Sequence, residues 1–159
     1  MALFSNKQES NLRSCVKMVE DALVSLGFDP DLSRLETADA LSAWRYQKGS
    51  AHVYILLLAR GETNYVRVIA PVMHVDTNVD EGRLYKRLLE LNCAQVTGAA
   101  FAIREGDVVL FSERTTVDLD LSEVLDILRR TQEYADEFDD RLVAEFGGRL
   151  AGLSSAPVK

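Results

Sequence analysis

Residues 39–73 read DALSAWRYQKGSAHVYILLLARGETNYVRVIAPVM, and this stretch decides the fold. Its middle, residues 53–59, is a continuous apolar run with turn-forming residues on both sides, as is typical of a strand buried on both faces. The flanking segments 40–47 and 64–73 are rich in aromatic and β-branched residues, which favour strands. The stretch therefore predicts a three-stranded antiparallel meander with residues 53–59 in the centre.

The rest of the chain predicts three helices and a second hairpin. Apolar residues recur every three or four positions in three segments, which indicates amphipathic helices. Asn78 with Glu81 starts the second helix and Asp120 with Glu123 starts the third, because both pairs match a capping box. Two segments of alternating polarity lie on either side of Glu105-Gly106 and predict the hairpin. The predicted helices are 10–27, 79–93 and 120–147, and the predicted hairpin strands are 97–104 and 107–113.

The predicted element order is α-β-β-β-α-β-β-α. Strands and helices grouped in this way indicate an α+β fold, with an antiparallel sheet and helices on one side of it. The chain has 159 residues, of which 47% are hydrophobic, and this is enough for one self-sufficient core. We predict a single domain over residues 5–148 and a mobile C-terminal tail over residues 149–159.

The formal net charge of −7 argues against nucleic acid as a partner, because phosphate binding depends on clustered Lys and Arg. An acidic surface suits basic or amphipathic protein partners instead. The longest apolar run is far shorter than the ~20 residues that cross a bilayer, so we predict no membrane contact. The first residues lack the apolar core of a signal peptide, and Cys15 and Cys93 lack the spacing of a metal site. The resulting expectation is a reduced, cytoplasmic protein.

Four motifs carry a resemblance to a known family. They are LLELN at 88–92, GAAFA at 98–102, DVVL at 107–110 and DLDL at 118–121. Together with the element order, the length and the acidic balance, they resemble the YbjN-like family within the type III secretion chaperone-like fold. The resemblance implies a non-enzymatic, often dimeric scaffold without a cofactor. Secretion chaperones of this kind are homodimers that hold an extended segment of a partner against apolar surface patches, whereas YbjN-like proteins look like regulators. The resemblance therefore implies a homodimeric protein-binding module that is either chaperone-like or regulatory, and a structural role for the amide of Asn92.

The second predicted helix has apolar residues on more than half of its surface. A short helix with one solvent-exposed side needs fewer apolar residues than this, so we expect the second helix to pack against both the sheet and a partner. Aromatic residues on the first strand of the meander would form a second platform if they share an exposed face. The residues predicted to contact a second copy of the chain, or a segment of another protein, are Leu84, Tyr85, Leu88, Leu89, Trp44 and Tyr46.

Any histidine chemistry must use His52 or His74. His74 with Asp76, or with Cys93 as a nucleophile, would suit a small hydrolase or transferase, and this is the alternative hypothesis. A surface histidine and a buried cysteine are the commoner interpretations, and a regulator that binds a small molecule over the sheet is a third hypothesis. The acidic run at 133–140 lacks the glycine and the alternating ligands of a calcium loop. We therefore expect no metal, no cofactor and no enzymatic activity.

Overall fold

The structure, a computed structural model, describes residues 2–151, with side chains from residue 10 onward. Its helices are α1 (Ala2–Ser25), α2 (Pro30–Ser33), α3 (Glu81–Ala94) and α4 (Leu121–Phe146). Its strands are β1 (Arg34–Leu35), β2 (Ser42–Lys48), β3 (Ala51–Arg60), β4 (Thr63–His74), β5 (Ala100–Arg104), β6 (Asp107–Thr115) and β7 (Arg149–Leu150). Within residues 2–151, every helix is too short or too polar to span a bilayer.

The strands form one antiparallel sheet in the order β1-β2-β3-β4-β6-β5, and β7 pairs with the end of β4. This arrangement confirms the predicted α+β class, and the predicted meander is β2, β3 and β4. The β2–β3 turn contains Gly49, which has a φ of +60° that favours glycine. Because β3 is a central strand and both of its faces are buried from Val53 to Leu57, its apolar run is continuous.

The two faces of the sheet differ in what covers them. On one face, residues of α1, α3 and α4 pack against alternate strand residues to form the main core. The cluster on the other face is smaller, and within the described residues it consists only of strand residues and one loop residue before β2. The helices therefore lie on one side of the sheet, as predicted. Large buried side chains of the main core are Trp44, Ile55, Leu57, Leu84, Leu110, Leu128, Phe138 and Leu142.

Side-chain caps fix where α3 and α4 begin. In α4, Asp120 Oδ1 accepts a hydrogen bond from the backbone N–H of Glu123 (2.9 Å), and Glu123 Oε2 accepts one from the N–H of Asp120 (3.1 Å). The predicted capping box is thus confirmed. In α3 the cap is Asp80, whose Oδ1 accepts from the N–H of Arg83 (3.1 Å). The predicted cap at Asn78 is wrong, because the chain still forms a turn there.

The chain after α4 stays on the sheet for a few more residues than the sequence suggested. β7 pairs with the last two residues of β4, and the N–H of Ala151 donates to the carbonyl of Val72 (3.3 Å). A strand of two residues has no periodic signal, so the sequence pattern does not reveal it. The remainder of the predicted tail, residues 152–159, lies outside the described residues.

Two carboxylates of the acidic run fix the β2–β3 turn. Ser50 Oγ lies 3.1 Å from Asp136 Oδ1 and 2.5 Å from Asp139 Oδ2, and Asp139 is buried. In the described part of the chain, no group of three or more His, Cys, Asp or Glu side chains is arranged to hold a metal ion. These two carboxylates therefore anchor the turn.

Candidate partner-binding surfaces

Four of the six residues predicted to line a partner surface lie in the core of the single chain. Leu84 and Leu88 are 0% and 4% exposed, because the apolar stripe of α3 faces the sheet of its own chain. Trp44 and Tyr46 lie on the helix-covered face of β2, where the Tyr46 ring is 4.6 Å from the ring of Phe28. Burial in this position raises the pKa of Tyr46 well above its usual range. Their prediction as surface residues is corrected, since none of the four is accessible in one subunit.

The other two predicted residues, Tyr85 and Leu89, are accessible on the flank of α3. Leu89 is 69% exposed and Tyr85 is half-buried. On the neighbouring strand β5, Ile103 is 43% exposed and lies on the same strand face as Phe101. We call the surface of Tyr85, Leu89 and Ile103 the α3–β5 flank. The three residues lie on two elements that contact each other, and Leu89 and Ile103 are exposed within the described residues.

Asn92 joins α3 to the outer edge of β5. Its Oδ1 accepts from the backbone N–H of Phe101 (2.7 Å), and its Nδ2 donates to the carbonyl of the same residue (3.2 Å). The side-chain amide thus makes the two hydrogen bonds that a neighbouring strand would make. Asn92 therefore has a structural role, and it closes the edge of β5 at Phe101 to strand pairing.

Among residues 2–151, no helix lies over the sheet face opposite the main core, and we call this face the open face. Its buried centre is Ala43, Leu56, Ile69 and Val109. Half-buried neighbours pack around this centre, namely Leu35, Ala40, Leu58, Ala102 and Phe111. In the part of the chain that the structure describes, the groups seen over this face are longer side chains of the same sheet.

Arginines lie over the aromatic rings of the open face. The guanidinium of Arg67 is 5.0 Å from the centre of the Phe111 ring, and that of Arg60 is 5.5 Å from the centre of the Tyr65 ring. Both arginines bind Glu113, with Arg67 Nη2 at 2.5 Å and Arg60 Nη1 at 3.0 Å from its carboxylate oxygens. A single carboxylate therefore serves two cations at this place.

Two polar atoms on β3 lack a partner on this face. Tyr54 is 1% exposed, and its hydroxyl makes no hydrogen bond within the described residues. The Nδ1 atom of His52 is buried and also makes none there. Burial, and after it the charge of Arg45, lowers the pKa of His52. Since side chains alternate along a strand, His52 and Tyr54 lie on the same face as Leu56.

His74 has a different carboxylate partner from the one predicted. Its Nδ1 lies 2.5 Å from Asp107 Oδ1, whereas its Nε2 is 3.8 Å from Asp76 Oδ1. Asp76 is also ion-paired with Arg149. These contacts tie β4 to β6 and β7, and the side-chain contacts of His74 in the described residues do not include Cys93. The arrangement is that of a strand junction, and the predicted constellation of His74 with Cys93 is absent from the described residues.

The two cysteines differ in reactivity, and this gives a prediction. Cys15 is buried and Cys93 is exposed, and burial raises the pKa of the Cys15 thiol, so its thiolate is scarce near neutral pH. Iodoacetamide should therefore modify one thiol per folded chain, and peptide mass spectrometry should place the label on Cys93. Urea should expose both thiols, while Cys93→Ser should leave the folded chain unlabelled. Rapid labelling of Cys15 in the folded chain would contradict the packing of α1.

The family relationship of the chain follows from a match over most of its length. The family model described as "T3SS (YopN, CesT) and YbjN peptide-binding chaperone 1" matches residues 14–152. The chain belongs to this family. The suspected membership is confirmed, and so is the prediction of a non-enzymatic protein. No curated protein matches the chain significantly.

Three solved complexes contain chains with the fold of this peptide-binding chaperone family. A chain of the ExsC-ExsE complex is 19% identical, with 82% of this chain and 94% of that chain covered and a TM-score of 0.62. A chain of the HopA1-SchA chaperone-effector complex is 12% identical, with 83% of this chain and 97% of that chain covered and a TM-score of 0.57. A chain of the heterodimeric ExoU-SpcU complex from the type III secretion system of Pseudomonas aeruginosa is 18% identical. The match covers 80% of this chain and 96% of that chain, with a TM-score of 0.54. At these identities the likeness shows a shared fold.

Proposed function

We propose that the chain is a peptide-binding chaperone that acts in the cytoplasm as a homodimer and holds an extended segment of another protein on its open face. Family membership supports the class of function. The observation that carries the proposal is the difference between the two faces of the sheet. One face is covered by helices, while the other has an apolar centre over which the described residues place no helix.

The open face has the geometry that an extended segment needs. Neighbouring strands lie about 4.8 Å apart, so the side chains of one face form rows across the sheet. One row joins Ala43 to Leu56, and the next joins Tyr54, Ile69 and Phe111. A partner segment laid over these rows would cover the half-buried Phe111 and its half-buried neighbours Leu58 and Ala102, at about 25 cal/mol per Å² of apolar surface removed from water.

Self-association has a separate surface, the α3–β5 flank. Leu89 and Ile103 are large apolar residues with much of their surface exposed, and exposed patches of this kind mark interaction sites when they cluster. Asn92 already occupies the backbone groups of Phe101, so contact here would be made by side chains. The dimer therefore leaves the open face of each subunit free for a partner.

Leu89→Asp is expected to give a folded monomer, because it puts a carboxylate into the middle of the proposed apolar interface. The loss of affinity should be on the order of 100-fold or more. Static light scattering at micromolar concentration measures it against the wild-type chain. Val24→Asp is the matched control, since Val24 is a similarly exposed apolar residue on α1 and the variant should stay dimeric.

Three results would contradict different parts of the proposal. A wild-type chain that remains monomeric would remove the homodimer, and equal dissociation of both variants would remove the α3–β5 flank as its interface. The peptide-binding part fails separately if extended peptides that combine valine with glutamate, glutamine or lysine all show no binding.

A further inference from the structure

The open face is a basic surface on an acidic protein. The register of the sheet places Arg45, Arg60, Arg67 and Arg104 on this face, together with the acidic residues Glu113 and Asp107. The face thus has a net positive charge, although the whole chain carries −7. The exposed carboxylates of the acidic run lie on α4, which packs on the opposite face. The open face therefore has a local positive potential, although the chain as a whole is negatively charged.

Arg45, Arg60 and Arg67 have more hydrogen-bond donors than their ion pairs use. A guanidinium group has five N–H donors, and Arg60 and Arg67 share the single carboxylate of Glu113. Arg45 is exposed and has no ion pair within the described residues. A carboxylate placed over Arg45 would find guanidinium N–H donors that make no ion pair with the described residues.

Cationic and apolar side chains share the same rows of the open face. Arg45 stands next to Tyr54 in one row, and Arg67 stands next to Leu56 in the adjacent row. A segment that matches this pattern needs an apolar side chain and an acidic one within a few residues of each other. A purely apolar segment would leave the guanidinium groups partly desolvated and unpaired, which is unfavourable.

The hydroxyl of Tyr54 gives an independent indication that the face has an occupant. The residue is 1% exposed, and its hydroxyl has no partner in the described part of the chain. Buried hydroxyl groups almost always have one. A bound segment could reach this hydroxyl when the side chains that cover the open face move aside. A carbonyl or carboxylate of the segment would then accept a hydrogen bond from it.

We propose that the open face selects extended peptide segments that carry both apolar and acidic residues. The proposal rests on the peptide-binding function and adds the chemistry of the segment. The proposed preference for acidic segments is the opposite of what the total charge suggests, because an acidic protein as a whole should prefer basic partners.

The test uses three fluorescein-labelled peptides that repeat Val-Ser-Glu, Val-Ser-Gln or Val-Ser-Lys. In an extended chain, this triplet presents both valine and the variable residue on each side. Fluorescence anisotropy at low salt should show the Val-Ser-Glu peptide binding about 10-fold more tightly than the Val-Ser-Lys peptide. Raising the salt concentration should reduce the difference.

Three variants locate the effect. Arg45→Glu should weaken binding of the Val-Ser-Glu peptide by about 5-fold to 10-fold, whereas the same change at Arg129, exposed on α4, should leave it unchanged. Tyr54→Phe should weaken binding by about 3-fold. Its thermal stability should not fall, because the deleted hydroxyl has no partner in the free chain.

The outcomes separate this inference from the function on which it rests. If the glutamine or lysine peptide binds as tightly as the glutamate peptide, or if Arg45→Glu and Arg129→Glu have equal effects, the acidic preference is overturned and peptide binding stands. If none of the three peptides binds, the proposed function itself fails. Displacement of the glutamate peptide by a thymidine oligonucleotide at lower concentration would also overturn the inference, since the face would then recognise polyanions in general.

Discussion

Leu84→Asp is expected to unfold the chain instead of dissociating a dimer. Leu84 is fully buried in the main core, and an aspartate there would lose the leucine packing and bury a carboxylate without a partner. The loss of folding free energy should exceed about 4 kcal/mol. That is a large part of the ~5–15 kcal/mol by which a domain is stable. Far-ultraviolet circular dichroism with urea titration measures it.

The control for Leu84→Asp is the same substitution at Leu89, which lies five residues further along α3 and on its exposed side. Leu89→Asp should keep a urea midpoint close to that of the wild-type chain, because Leu89 is exposed on the α3–β5 flank. Leu84→Ala should lie between the two, with a loss of about 2–5 kcal/mol. A Leu84→Asp chain that is folded, cooperative and monomeric would mean that the inner stripe of α3 faces a partner, as the sequence pattern alone suggested.

The sequence could predict the longer helices and strands because each of them has a local signal. The apolar run at 53–59, the alternation on both sides of Glu105-Gly106, and the capping box at Asp120 lie within a few residues of the structure that they specify. The motif at 88–92 pointed to the family, which the family match confirms. Local patterns of this kind are the ones that sequence analysis detects well.

The sequence could not predict which surface each apolar residue would face. Trp44 and Tyr46 alternate with Ala43 and Arg45, and alternation shows that they share a face without showing which face the helices cover. Only the packing of α1 and α4 on that side buries Trp44 and Tyr46 and leaves the Arg45 side open. The wide apolar surface of α3 likewise divides into a core stripe and the exposed Leu89.

Long-range pairing explains the other difference at the candidate sites. The carboxylate bonded to His74 belongs to Asp107, which lies 33 residues further along the chain. The two residues meet because β4 pairs with β6 across the connection that contains α3 and β5. A search among sequence neighbours finds Asp76 instead, although its carboxylate is 3.8 Å from the ring.

Asn92→Ala is expected to destabilise the chain and to open one edge of the sheet. The amide of Asn92 binds both the N–H and the carbonyl of Phe101, and alanine would leave both groups without a partner beside a buried ring. The loss in free energy of unfolding should be about 2–3 kcal/mol. An exposed strand edge pairs readily with other chains, so the variant should also form larger species as its concentration rises. Urea titration and light scattering measure the two effects.

Asn92→Asp separates the hydrogen bonds from the shape of the side chain. The carboxylate has nearly the same size and still accepts from the N–H of Phe101, but it has no donor for the carbonyl and repels it. Its loss of stability should therefore be clear and its tendency to associate weaker than that of Asn92→Ala, because a charge at a strand edge opposes pairing. If Asn92→Ala keeps wild-type stability, the amide does not hold β5, and the edge of β5 must then be closed by packing against α3.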